Sequence, residues 1–309
     1  MKTIRDFKLK GKTVLLRCDF NVPLDHNGDI LSDLKIRRTL PTIEYLKKKG
    51  AHLILLSHRS DNRSLDSAWQ RLAQYTDITS LEFLENIRRD EREKKNSIGL
   101  AKELAALADI YVNDAFSVCH RKHASVVAIT KYLPSAAGLL LEEEVGKLTK
   151  LVQKAKKPII VIIGGSKSKS KGEAIPGLFR IADKVLIGGK LAFDLKLKSD
   201  KLVKPIDYVG RYDIGQKTIK LFLTEIASAG LIIWAGPMGK FEDQGFEKGT
   251  KEIGKAVAKS KAVSIVGGGH TISALKKFNL KDKVTYISSG GGAMLTFLAQ
   301  KPMPGLEVL

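Results

Sequence analysis

The sequence predicts an α/β fold: two domains with largely parallel sheets, joined by a long helix. Three observations carry this. Short apolar runs alternate with amphipathic segments along the whole chain. The runs are continuous rather than alternating in polarity, so both faces of each sheet are expected to be covered. One charged helical stretch near the middle has no strand attached and separates two sets of strands. At 309 residues the chain is long enough for two cores of ordinary size.

In order along the chain, "TVLLRCDF" (13–20), "HLILLSH" (52–58) and "DIYVNDAF" (109–116) read as strands of a first domain. "PIIVIIGG" (158–165), "DKVLIGG" (183–189), "GLIIWAG" (230–236), "AVSIVGG" (262–268) and "VTYISSG" (284–290) read as strands of a second. Helical patterns such as "LPTIEYLKKKG", "LAKELAALA", "TIKLFLTEIASAG" and "GTKEIGKAVAKS" lie between them, as parallel crossovers require. The unattached stretch, "LLLEEEVGKLTKLVQKAKKP" (139–158), predicts a connecting helix closed by Pro158, its acids near the positive end of the helix dipole and its lysines near the negative end. The expected organisation is a first domain over 1–140, the connecting helix over 141–157 and a second domain over 158–290. A C-terminal segment, 291–309, is expected to return towards the first domain. The stretch 196–213 lacks periodicity and reads as a long connection. No solenoid repeat is present.

An apolar share of 43% excludes a disordered chain. A net charge of +20 favours anionic partners: nucleic acid, an acidic membrane surface or phosphorylated small molecules. Aromatic residues make up only 6% and do not interleave with basic ones, which argues against nucleic acid. Cys18 and Cys119 form no CxxC pair, which fits a reducing cytosol. The N-terminus lacks the apolar core of a signal peptide, and no apolar run is long enough to span a bilayer. A cytoplasmic protein without membrane contact is expected.

Strand ends carry the functional signal. In the second half "IIGGSK", "LIGGK", "IVGGGHT" and "ISSGGGA" end in glycine, and "IIWAGPMG" ends in a Gly-Pro turn. Ligands of parallel α/β sheets bind at the carboxyl ends of strands. Glycine there lets backbone approach a ligand, and the next helix N-terminus attracts phosphate. Neither a P-loop nor a GxGxxG fingerprint is present, so the phosphate or nucleotide site is of another design. Lys167, Lys169 and Lys171 alternate in "GGSKSKSK" and repel one another, which implies an anion between them unless the stretch is a solvated turn. In the first half, arginine and histidine follow the strands instead: Arg17, His58, Arg59, Arg88, His120 and Arg121. They predict a shared pocket for carboxylate or phosphate. "HRKH" (120–123) lacks the further ligands a metal site needs.

The motifs "RCDFNVPL" (17–24), "ENIR" (85–88), "YVNDAFSVCHRKHAS" (111–125), "GGSKSKSK", "WAGPMGKFE" (234–242), "GGGHT" (267–271) and "ISSGGGA" (287–293) occur in that order. Together they resemble the phosphoglycerate kinase family over nearly the whole chain. The resemblance implies two Rossmann-like domains joined by a hinge helix, and a monomer that acts in glycolysis. The implied reaction is reversible transfer of the acyl phosphate of 1,3-bisphosphoglycerate to ADP, giving 3-phosphoglycerate and ATP. The implied cofactor is Mg2+; Mn2+ is the alternative that the histidine at position 270 suggests. In this resemblance Asp19, Phe20 and Asn21 match the "DFN" that contacts the glycerate substrate. Arg17, Lys35, His58, Arg59, Arg88, His120 and Arg121 match the basic patch around its phosphate and carboxylate, with Arg17 at the reaction centre. Lys167 matches the lysine on the transferring phosphoryl group, and Lys171 the lysine on the nucleotide phosphates. Glu242 matches the ribose-binding acid, and Gly268, Gly269, His270 and Thr271 the turn over the nucleotide phosphates. Gly290, Gly291 and Gly292 match a loop whose helix aims its N-terminus at the reaction centre. Hinge closure would bring the two ligands in line and exclude water.

Four departures stand out. The chain is shorter, mainly between "GGKLAF" and "YDIGQKT". Lys35 and Asp61 stand where arginines are expected, with Arg59 or Arg63 available to compensate for the second. Ala235 replaces an asparagine. His270 replaces the aspartate that helps hold magnesium, and imidazole is a poor ligand for a hard cation. The alternatives are an impaired homologue that binds phosphorylated ligands or acts on another acyl phosphate, and, behind it, a nucleic-acid-binding protein.

Overall fold

The computed structural model describes residues 1–25, 27–165 and 169–309, with Lys169 and Ser170 as backbone alone. The chain forms two compact units, Met1–Gly146 with Pro302–Leu309, and Lys147–Lys301.

In the first unit the strands are β1 (Thr13–Arg17), β2 (His52–Leu56), β3 (Leu81–Phe83), β4 (Ile110–Asn113) and β5 (Ser135–Ala137), in the order β3-β2-β1-β4-β5. All their pairings are parallel. Successive side chains of a strand point to opposite faces. Val14 and Leu16 therefore join one apolar cluster with Leu53, Leu55 and Val112. Leu15 joins another with Ile54, Leu56 and Tyr111. Helix α1 (Leu34–Lys48) covers the first face with Ile36, Ile43 and Leu46, and α2 (Asp66–Ala73) adds Ala68 and Leu72. After the short α3 (Glu91–Lys94), α4 (Ile98–Ala105) covers the second face with Leu100, Ala101 and Leu104. Each fully buried valine, leucine or isoleucine among these stabilises the fold by about 1.5–3 kcal/mol. The uninterrupted apolar strands of the sequence are thus the two-sided core of this sheet.

Helix α5 (Leu139–Gln153) follows β5 and runs from the first unit into the second. Asp114 caps it, accepting from the backbone N–H groups of Leu140 (2.9 Å) and Leu141 (3.2 Å). Its three glutamates do more than face a helix dipole. Glu142 pairs with Arg5, and Glu143 and the buried Glu144 pair with Arg38 (3.5 and 2.9 Å).

The second unit has the sheet order β13-β12-β11-β6-β7-β8, again with parallel pairings throughout. Its strands are β6 (Ile159–Ile163), β7 (Lys184–Ile187), β8 (Leu202–Val203), β11 (Leu231–Ala235), β12 (Val263–Gly267) and β13 (Tyr286–Ser288). Between them in sequence, β9 (Tyr208–Val209) and β10 (Asp213–Ile214) form a separate antiparallel pair. The segment expected as a plain connection therefore holds an edge strand and a small ribbon. Two-residue strands carry too little alternation to be read from sequence. Helices α6 (Lys169–Leu178), α7 (Leu191–Asp194), α8 (Gln216–Ser228), α9 (Lys248–Lys259), α10 (Gly269–Lys277) and α11 (Gly291–Leu298) complete the unit. One face of the sheet packs Ile160, Ile162, Ile232 and Trp234 against Phe222 and Ile226 of α8 and Ile253 and Val257 of α9.

Two boundaries differ from the expected ones. The first unit extends into α5 as far as Gly146, because Arg38 and Arg5 hold its first turns. The return to the first unit starts at Pro302 rather than at 291. Helix α11 stays in the second unit, packed so closely on α6 that a Cβ on Gly177 would lie 2.4 Å from the Ala299 carbonyl oxygen. Arg180 Nη2 also donates to that oxygen (2.6 Å). In the tail, α12 (Pro304–Glu307) is anchored by Gly305 N–H on Cys119 O (2.9 Å), and Leu309 O accepts from Lys2 N–H (3.2 Å).

Candidate functional sites

The first unit's strand order reverses between β1 and β4, and a ligand crevice is expected beyond the carboxyl ends there. Arg17 ends β1 and is completely buried. Its Nη2 donates to His58 Nδ1 (3.0 Å), its Nη1 to Cys18 O (2.5 Å) and its Nε to Ser125 Oγ (3.0 Å). His58 and Arg59 follow β2, Arg88 follows β3, and His120 and Arg121 follow β4. Arg88 Nη1 donates to Ser60 Oγ (3.0 Å), while its buried Nε and Nη2 have no hydrogen-bond partner among the described residues. Arg121 Nε donates to His120 Nε2 (3.3 Å).

The cations feel one another. Burial, then Arg17, Arg88, Lys35 and Arg121, hold His58 well below the usual histidine range. Burial, then Arg121, His123 and Arg88, push His120 down to about 4. Burial, then Arg121 and Arg17, bring Arg88 down to about 10. At neutral pH the arginines stay charged and both imidazoles are neutral donors or acceptors. Crowded, desolvated cations are relieved by an anion, and a bound phosphate or carboxylate would supply one.

The remaining candidates of this unit sit differently. Asp19 is buried and fully engaged: Lys35 Nζ lies 2.7 Å from Oδ2, Ser117 Oγ donates to the same oxygen, and Asn21 N–H donates to Oδ1 (3.1 Å). Asn21 Nδ2 donates to Ser60 Oγ (3.1 Å), beside Arg88. Phe20 is a core residue: its ring is completely buried against Trp69 at 5.3 Å, so its side chain does not reach a ligand. Arg59 is held by Asp61, donating from Nε (2.9 Å) and Nη2 (2.5 Å), and Arg63 lies 4.0 Å from the same acid. Asp61 thus neutralises the arginine that was expected to compensate for it.

The second unit's strand order reverses between β6 and β11. Beyond those carboxyl ends lies a cavity of about 770 Å³. Gly165, Lys171, Pro237, Glu242 and His270 line it, with Arg211 and Tyr212 on its wall. Lys171, on α6, donates to Gly164 O (2.9 Å), and burial brings its ammonium down to about 8. Glycine is required around it. Gly236 has φ +104°, and a Cβ there would lie 2.0 Å from Gly164 O and 2.7 Å from Lys171 Nζ. Two further glycine loops also meet: a Cβ on Gly291 would lie 2.7 Å from Gly268 Cα. Helices α10 and α11 start at these loops. The Thr271 hydroxyl ties the end of β12 to Gly236, donating to Gly267 O (3.1 Å) and accepting from Gly236 N–H (2.7 Å). Around Gly269 a Cβ would meet nothing within 4 Å, and Gly292 is half-buried. Lys167 lies outside the described residues. The "SKSK" stretch turns helical by Lys169, so it is not extended there.

His270 Nδ1 lies 3.3 Å from Glu242 Oε1, with the imidazole 81% exposed at the cavity rim. Among the described residues no group of three or more His, Cys, Asp or Glu side chains is placed to hold a metal ion. Lys190, Phe193, Asp194, Arg211 and Tyr212 line the cavity without having been singled out by sequence. Lys190 could have been, since it ends "LIGGK". Arg211 and Tyr212 come from the aperiodic ribbon and give no such signal.

Each unit gathers cations at the switch point of a doubly wound sheet, and one of the two adds a nucleotide-sized cavity. This is a two-domain α/β protein of the phosphotransferase class. The phosphoglycerate kinase family model matches residues 4–82, 65–207 and 198–301. A phosphoglycerate kinase of Thermosipho africanus is 38% identical, covering 98% of this chain and 96% of that protein. One of Koribacter versatilis is 37% identical, covering 99% and 98%. These alignments run over 388 and 396 positions against 309 residues here, so they contain long gaps. Among solved structures, the phosphoglycerate kinase of Pyrococcus horikoshii aligns with a TM-score of 0.83 at 28% identity, covering 100% of this chain and 98% of that one. That of Coxiella burnetii aligns at 0.77 and 30%, covering 99% and 98%. The chain belongs to the phosphoglycerate kinase family. No described helix is long and apolar enough to cross a membrane.

Proposed function

We propose that the chain transfers the acyl phosphate of 1,3-bisphosphoglycerate to ADP and runs the reverse reaction with ATP and 3-phosphoglycerate. The acceptor binds the basic cluster of the first unit and the nucleotide binds the cavity of the second. The observation that carries this reading is Arg88, a buried guanidinium with two nitrogens left for a ligand in the middle of a crowd of like charges. Phosphoryl transfer needs positioning and neutralised charge more than covalent help. Arg17, Arg88 and Arg121, with His58, His120 and Asn21, take the phosphate and carboxylate of the glycerate. Lys171 and the glycine loops at Gly268–Gly269 and Gly290–Gly292 take the nucleotide phosphates, Glu242 takes the ribose, and Lys167 takes the transferring group. The test is a coupled turnover assay with ATP and 3-phosphoglycerate. Consumption of ATP that depends on the acceptor supports the reading, and ATP loss independent of it refutes it.

The family's metal is magnesium on the nucleotide. The described side chains do not offer it a site of oxygen ligands, since His270 stands against Glu242 and no third ligand is near. The metal would be held by the nucleotide phosphates and water, with Mn2+ tolerating the imidazole better than Mg2+ does. His270→Asp is expected to raise turnover with magnesium severalfold and to narrow the gap between manganese and magnesium. Unchanged activity and metal preference would show that position 270 does not reach the metal.

Asp61→Asn is expected to lower the Michaelis constant for 3-phosphoglycerate severalfold. It removes the charge that holds the Arg59 guanidinium, which keeps its donation from Nη1 to Val22 O (3.3 Å) while Nε and Nη2 are released for a ligand. Steady-state kinetics at saturating ATP measures it; an unchanged or higher constant would mean that Arg59 serves only to fold the loop.

A further inference from the structure

Behind the basic cluster lies a buried chain of contacts that the reading above does not use. Glu93, on α3, is completely buried. Its Oε2 accepts from Ser125 N–H (2.9 Å) and its Oε1 from Ser125 Oγ (2.7 Å). With its proton committed to Glu93, the Ser125 hydroxyl presents its lone pairs to Arg17 Nε (3.0 Å). Arg17 in turn donates from Nη2 to His58 Nδ1 (3.0 Å). A guanidinium has no lone pair to offer, so Nδ1 of His58 is the acceptor and carries no proton. The proton of the neutral ring is therefore on Nε2.

We propose that Glu93 and Ser125 are positioning residues that act through Arg17 to fix His58 as its Nε2–H tautomer, a ready donor to the anionic acceptor substrate. The direction of each bond follows from the two ends of the chain: the carboxylate can only accept and the guanidinium can only donate. Glu93 can only accept, so Ser125 must donate to it; Ser125 then accepts from Arg17, and Arg17 donates to His58. A serine between acid and arginine also keeps the carboxylate from meeting the guanidinium directly. Arg17 keeps hydrogens on both Nη atoms for a ligand, because one donation from each to Cys18 O and His58 leaves a second. Ser125→Ala cuts this chain at its centre; Ser125→Thr preserves the hydroxyl. Glu93→Gln keeps the shape but its amide nitrogen can donate to Ser125 Oγ, which weakens the serine's hold on Arg17 Nε and with it the placement of Nη2 on His58.

The substrate half of this inference rests on the proposed function; the tautomer half does not, and the two are measured separately. Nitrogen-15 NMR of the imidazoles in the ligand-free full chain reads the tautomer. Wild type and Ser125→Thr are expected to show His58 protonated at Nε2 alone. Ser125→Ala and Glu93→Gln, which let the Arg17 guanidinium turn away from Nδ1, are expected to show a mixture of both tautomers. Titration with 3-phosphoglycerate should then show a loss of about tenfold in affinity for Ser125→Ala, the size of one hydrogen bond to a charged group, and near wild-type affinity for Ser125→Thr. A single Nε2–H tautomer retained in Ser125→Ala overturns the relay, whatever Glu93→Gln does. A mixed tautomer with unchanged 3-phosphoglycerate affinity overturns the role in binding. Failure of the wild type to bind 3-phosphoglycerate overturns the functional reading and leaves the tautomer result standing.

Discussion

Lys171→Ala is expected to cut turnover by two orders of magnitude or more, since a preorganised cation on a phosphoryl site is worth about 2.7–4 kcal/mol. The lysine is set by structure rather than by reach: its ammonium donates to Gly164 O and is walled by Gly165 and Gly236. Burial brings it down to about 8, which adds a pH signature. A bound phosphate favours the charged form and raises that value, so binding takes up a proton once the free lysine has lost it. ADP affinity should be level well below pH 8 and fall as pH rises through it, by up to about tenfold per pH unit while the bound lysine stays charged. In Lys171→Ala this slope should vanish. A wild-type profile that stays level between pH 8 and 9.5 would mean that Lys171 does not meet the phosphates.

Arg88→Ala is expected to lower kcat/KM for 3-phosphoglycerate by on the order of 100-fold, as removal of one partner from a buried ion pair does. It should also do something that loss of a structural residue would not: raise the melting temperature of the ligand-free protein. Arg88 is pressed by Arg121 and Arg17 and buried with two nitrogens unpartnered, so removing it relieves strain that only a ligand otherwise relieves. Thermal unfolding with and without 3-phosphoglycerate checks both halves. A lower melting temperature without ligand would show that Arg88 is there to hold the loop.

The fold was legible because its strands are continuous apolar runs, and Val14 to Leu16 or Ile160 to Ile162 can be buried on alternate faces only if helices cover both. The glycines of the second unit were legible for a related reason. A residue such as Gly236 is forced by a neighbouring backbone oxygen, and that leaves a mark in sequence. Pairings through space leave none. Nothing in "HRSDN" says that Asp61 turns back on Arg59, and nothing in "HRKHAS" says that Ser125 bridges Arg17 and Glu93. The same holds for Phe20, whose motif marked it for substrate while Trp69 holds it in the core. The ribbon that brings Tyr212 and Arg211 to the cavity is too short to have a period at all.

The central claim is that the acceptor and the nucleotide have separate sites, one in each unit. Calorimetric titration of Arg88→Ala and Lys171→Ala with 3-phosphoglycerate and with ADP tests it in one experiment of four arms. Arg88→Ala should lose 3-phosphoglycerate and keep ADP, and Lys171→Ala should lose ADP and keep 3-phosphoglycerate. Equal losses of both ligands in either variant would contradict the assignment of two separate sites.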